Sequence, residues 1–105
     1  MTKIIRTQLV LAAAIALACA VSFAQSGGEA TYKTKCAACH GPAGTPSAGM
    51  AKAMGIKATS DPEIKKLTVD QIAAVVKAGK GKMHPVAGLT DAQIKDVSVF
   101  YHGLK

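Results

Sequence analysis

Beyond residue 24 the chain is short of material for a core. Of the 81 residues from 25 to 105, 34 are hydrophobic, but 13 of these are Ala and two are Cys. That leaves 19 larger apolar side chains and no Trp. A domain this small gains little from burial alone, and such chains commonly rely on a disulfide, a metal or another bound group to complete the interior. The composition excludes a large multi-domain enzyme. With three Cys in the whole sequence, it also excludes a disulfide-dense scaffold.

The first 24 residues are of a different kind. Lys3 and Arg6 precede a 13-residue apolar run from Leu9 to Val21, and Ser22 and Ala24 put small residues three and one before a cut at Gln25. The run is well short of the roughly 20 residues needed to span a bilayer and fits a secretory signal. We therefore expect a signal peptide over 1–24, a single domain over 25–105 and a periplasmic location, with no membrane span in the mature chain. Cys19 follows Leu17 and Ala18 and offers a lipidation site, although the leucine lies two places before it rather than three. From Gln25 onward there are 11 Lys and no Arg against six acids, a balance of +5. Such a charge suits acidic protein partners, and an exported protein rarely meets nucleic acid.

The mature segment reads as small and all-α. Thr90 and Gln93 form a capping-box pair, after which Ile94, Val97, Phe100, Tyr101 and Leu104 share one helical face. Thr68 and Gln71 form a second box ahead of Ile72, Val75 and Val76, with Gly79 as the stop. Residues 28–35 predict a short helix with Tyr32 turned inward, and Ser60-Asp61-Pro62-Glu63 predicts another helix start. The stretch between Gly41 and Gly49, with Pro42, Gly44 and Pro46, reads as loop. Alternating strand patterns are absent.

The chemistry lies in Cys36-Ala37-Ala38-Cys39-His40. C-x-x-C-H is the attachment signature of c-type haem: two thiols with two residues between them reach the two vinyl groups on one porphyrin edge, and the following imidazole can bind iron. A thioredoxin-like pair would need a βαβ context. A zinc site would need four ligands, with only His84 and His102 left to complete it. One covalently attached haem c is therefore expected on Cys36, Cys39 and His40, and it would also give the sparse apolar side chains a surface to pack on.

At this point the chain resembles the small monohaem class I cytochromes c of bacterial periplasms. The resemblance rests on Cys36, Cys39, His40 and Gly41, on Gly79-Lys80-Gly81-Lys82-Met83-His84-Pro85 as the methionine loop, and on Leu89-Thr90-Asp91 leading into the last helix. Gly28 and Tyr32 match the glycine and aromatic with which the family's first helix crosses its last, and Val97 and Phe100 match their partners. The resemblance implies a cytochrome c-like helical domain wrapped round the haem. It also implies one-electron transfer between redox partner proteins such as an oxidase, reductase or dehydrogenase, with no substrate turned over.

For the sixth iron ligand the sequence offers Met50, Met54, Met83, His84 and His102. Met83 is favoured, since its loop lies 43 positions after His40 and has chain enough to pass round the ring. His84, standing where the family usually has proline, is the adjacent alternative. The resemblance implies that Lys33, Lys35, Lys80 and Lys82 lie round the exposed haem edge. The rival reading is a haem-based sensor or ligand-binding module whose sixth position is open or weakly held.

Overall fold

The computed structural model describes residues 27–104. The expected signal segment, Cys19 and the cut before Gln25 lie outside the described residues. Within them the chain forms six helical segments: α1 (27–35), α2 (Ala37–His40), α3 (Ala48–Met54), α4 (Pro62–Lys65), α5 (Val69–Ala78) and α6 (Asp91–Gly103). No strand occurs among the described residues. A single isolated bridge joins Lys80 and Met83. The all-α expectation holds.

Side-chain caps start most of these helices. Thr68 accepts a hydrogen bond from the Gln71 N–H while the Gln71 side chain accepts from the Thr68 N–H, at 3.2 and 2.9 Å. Thr90 and Gln93 repeat the pattern at the same distances. Each box satisfies two of the amide groups that a helix N-terminus otherwise leaves unpaired. Asp61 caps α4 by accepting from the Glu63 N–H at 2.9 Å, with Pro62 in the first turn. The loop expected between Gly41 and Gly49 ends earlier, at Ser47, whose hydroxyl accepts from the Met50 N–H and starts α3. Gly49 thus belongs to a helix.

The core is thin, as the composition requires. Among the described residues the buried apolar side chains are Tyr32, Ile72, Val76, Ile94 and Val97. Ile72 and Val76 of α5 meet Ile94 of α6, and Leu67, Ala73, Met83, Val86, Leu89 and Tyr101 pack round them half-buried. Val75, expected on the same face, is half-buried. Leu104 lies just past the end of α6, its N–H donating to the Tyr101 carbonyl at 3.0 Å. Ser98 is wholly buried among the apolar positions of α6, which hydropathy did not suggest. Its hydroxyl donates to the Ile94 carbonyl one turn back, at 2.6 Å, so no polar group is left unpaired.

Helix α1 crosses α6 where the sequence placed the crossing. A Cβ on Gly28 would overlap the Asp96 carbonyl oxygen and stand 2.9 Å from the Phe100 Cβ, so the two backbones touch there. One turn on, the Tyr32 ring packs against Phe100 at 5.3 Å and Tyr101 at 6.3 Å between centroids. Gly28→Ala should therefore force the helices apart, at a cost of about 3 kcal/mol, the upper end for overpacking. Gly49, with open space where its Cβ would go, should accept Ala without loss. Thermal unfolding of the two variants side by side checks this.

Candidate functional site

The two thiols and the imidazole sit where α1 hands over to α2. The Cys36 N–H donates to the Tyr32 carbonyl at 2.9 Å, closing α1, and the His40 N–H donates to the Cys36 carbonyl at 3.0 Å, closing α2. Cys36 has φ −120°, outside the helical range, so the helix is interrupted there before α2 begins. Cys36 and Cys39 are three residues apart on one turn, both half-buried, both free thiols. Burial, and then the neighbouring Cys39, push the Cys36 thiol up.

Burial pushes His40 down, which keeps the imidazole neutral, the form that binds metal. Its Nδ1 is buried with no hydrogen-bond partner among the described residues. The ring stands edge-on to Tyr101, 5.7 Å between centroids at 73°. A buried unpaired polar atom costs about 1–3 kcal/mol, so the apoprotein carries an unmet demand at this ring.

The methionine loop comes from the other half of the domain. The Lys80 N–H donates to the Met83 carbonyl at 2.9 Å and the Met83 N–H to the Lys80 carbonyl at 3.0 Å, a closed turn through Gly81. The loop is fastened at three points. A Cβ on Gly79 would lie 2.7 Å from the Met83 carbonyl oxygen, so the turn packs on its own stem. The Val86 N–H donates to the Val76 carbonyl at 3.0 Å. The Lys82 ammonium donates to the Ala53 carbonyl at 2.8 Å, tying the loop to the end of α3.

Met83 is half-buried against the α5–α6 core, the same core that carries Tyr101 and through it touches His40. His84 and His102 are exposed, while Met50 and Met54 lie half-buried on α3. No cluster of three or more His, Cys, Asp or Glu that could hold a metal occurs among the described residues.

Residues 24–100 match the model of the family described as cytochrome c oxidase, cbb3-type, subunit III. The chain belongs to this cytochrome c family. It is also similar to a solved structure, the KustC0563 c-type cytochrome, at 26% identity and a TM-score of 0.66. That match covers 74% of this chain and 96% of the other. No curated protein matches. The cytochrome c fold, a covalently bound haem c and haem-based electron transfer are thus shown for this chain. The residues fit that group: a pair of free thiols three positions apart, a half-buried imidazole that burial keeps neutral directly after them, and a thin apolar core.

Sequence reading missed the part played by Tyr32 and Thr59 behind this site. Thr59 is buried, its N–H donates to the Gly44 carbonyl at 3.0 Å, and it packs where a Gly44 side chain would be. Neither partner is near the other in sequence, and no motif pairs them. The Tyr32 phenol is pushed up to about 12, chiefly by burial. A folded-state value above the unfolded 10.0 gives a contribution to stability that is complete below pH 10. It is lost as pH rises from about 10 toward about 12, because the unfolded chain gives up its proton first. Thermal midpoints measured from about pH 9 to about pH 12 should fall across that window. Tyr32→Phe should fall less steeply, with Tyr101, also raised by burial, accounting for the remainder.

Proposed function

We propose that this cytochrome is an exported, periplasmic monohaem carrier that shuttles single electrons between redox partner proteins. In this reading Cys36 and Cys39 hold the haem by thioether bonds, His40 is the proximal iron ligand and Met83 the sixth. When bound, the haem supplies a one-electron couple. A thioether ligand favours the reduced iron and raises the potential, which suits a carrier. The observation that carries the reading is the shared core: His40 reaches it through Tyr101, and Met83 packs on it from a loop fastened at three points. The exposure of His84 and His102 argues for methionine. Export rests on the signal-like residues 1–24.

Two measurements on periplasmically expressed protein test the ligand set. Replacing both Cys36 and Cys39 by Ser should abolish haem staining on a denaturing gel. Undiminished staining would overturn the attachment. Met83→Ala should lose the weak long-wavelength sulfur-to-iron band and lower the potential, whereas His84→Ala should leave both nearly unchanged. The opposite result would make the site bis-histidine. Ready binding of carbon monoxide by the unmodified reduced protein at neutral pH would favour the open-site sensor.

Docking is proposed on the lysines beside the site. Lys33, Lys35, Lys80 and Lys82 lie on the two chain segments that carry Cys36–His40 and Met83, and all four are exposed. Lys33 pairs with Glu29 at 3.1 Å, whereas Lys82 donates to the Ala53 carbonyl, which carries no opposing charge. Electron transfer to an acidic partner should slow as salt rises, because screening shortens from about 10 Å at 0.1 M to about 3 Å at 1 M. Lys80→Glu should slow association more than Lys65→Glu. Lys57 makes a poor control, since it pairs with Glu63. Equal effects at positions 80 and 65, measured by stopped flow, would reduce the patch to a solvated surface.

A further inference from the structure

We propose that Tyr32 is a positioning residue for His40, acting through its hydroxyl on the turn that follows the ligand; the proposal rests on the haem reading above. Tyr32 is 1% exposed. Its ring is clamped by Phe100 and Tyr101 of α6, so the side chain has no freedom to swing. Its hydroxyl emerges beyond that clamp and donates to the Gly41 carbonyl at 2.5 Å. The Gly44 N–H donates to that same Gly41 carbonyl at 3.3 Å. The phenol thus bonds the carbonyl on which the turn 41–44 closes.

Gly41 is the residue directly after His40. It takes φ +83°, and its N–H donates to the Ala37 carbonyl at 2.8 Å, which ends α2. A Cβ there would overlap the Thr45 carbonyl oxygen, so the turn doubles back tightly on itself. Its far side is held by Thr59, which bonds and packs against Gly44. The backbone of His40 is therefore gripped by α2 on one side and, on the other, by a turn whose link to the α1–α6 frame is the Tyr32 hydroxyl.

The ring itself has little else to direct it. Histidines that bind metals usually gain their ring direction from a hydrogen bond at the second nitrogen, yet the His40 Nδ1 has no such partner among the described residues. Its aromatic contact is the edge of Tyr101, a ring that also packs on Tyr32. Ring direction is accordingly inherited from the backbone and from the aromatic group centred on Tyr32. A small rotation of the turn would rotate the imidazole plane against the haem.

The test compares three holoproteins purified from the periplasm: the unmodified protein, Tyr32→Phe, which keeps the ring and removes the hydroxyl, and Ser98→Ala, which removes an equally buried hydroxyl bonded within α6. Proton spectra of the oxidised forms give the haem-methyl shifts, which follow the orientation of the axial imidazole plane, and thermal unfolding gives stability. Tyr32→Phe should keep full haem staining and change the spread of the methyl resonances. Ser98→Ala should lower the unfolding midpoint and leave the methyl pattern unmoved. A Tyr32→Phe spectrum superimposable on that of the unmodified protein would overturn the proposal, whatever happens to stability. Should Tyr32→Phe fail to fold, the unmodified protein decides. Its Tyr32 hydroxyl proton should exchange slowly enough to resonate separately, and a freely exchanging hydroxyl would overturn the proposal. Absence of haem staining in the unmodified protein would instead overturn the haem reading itself.

Discussion

The contact between the backbones of α1 and α6 at Gly28 sets the position of everything that follows it in the chain. With no side chain between them, the helices approach until the Asp96 carbonyl and Phe100 bound the glycine directly. That approach delivers Tyr32, one turn later, between Phe100 and Tyr101. It delivers Cys36 and His40 after a further turn and an interruption of the helix. An error of about an ångström at the crossing would be carried along α1 to the thiols, because close-packed elements transmit strain instead of absorbing it. The site is thus placed by a helix pair, and its last adjustments come from the turn after His40.

A second contact complements the first. Helices α5 and α6 form the apolar cluster of Ile72, Val76 and Ile94, and the methionine loop is draped over its edge. Because α6 takes part in both contacts, it is the element that relates the Cys36–His40 segment to the loop that carries Met83. Tyr101 marks the junction, touching Tyr32 and His40 on one side and the α5–α6 cluster on the other. Between these two contacts the polypeptide offers few fully buried apolar groups. The balance of burial against chain entropy in so small a domain leaves the covalent haem as part of the interior rather than an addition to it.

Local polar bonding fixes what packing leaves loose. The capping boxes at Thr68 and Thr90 hold the starts of α5 and α6, and Lys82 holds the methionine loop to the end of α3. A lysine near the last carbonyls of a helix also complements the negative end of its dipole. The same residue stays exposed and charged, so one side chain serves loop geometry and surface electrostatics together.

Much of this was legible in the sequence because it is encoded locally. The helix starts follow from hydroxyl and amide side chains three residues apart, and the C-x-x-C-H string that points to a c-type haem occupies five consecutive positions. The shortage of bulky side chains by itself calls for a bound group to complete the interior. Gly28 and Tyr32 could be read through resemblance, since their spacing from Cys36 is fixed along one helix. Other features were decided only in three dimensions. The bond from Tyr32 to the Gly41 carbonyl, the packing of Thr59 on Gly44 and the tie from Lys82 to Ala53 join residues 9, 15 and 29 positions apart. No periodicity or motif records such pairs, because each depends on where two separate segments are brought by the helix contacts. The burial of Ser98 has the same origin: hydropathy describes a side chain's preference for water, whereas a hydroxyl that can bond its own helix loses little by being enclosed.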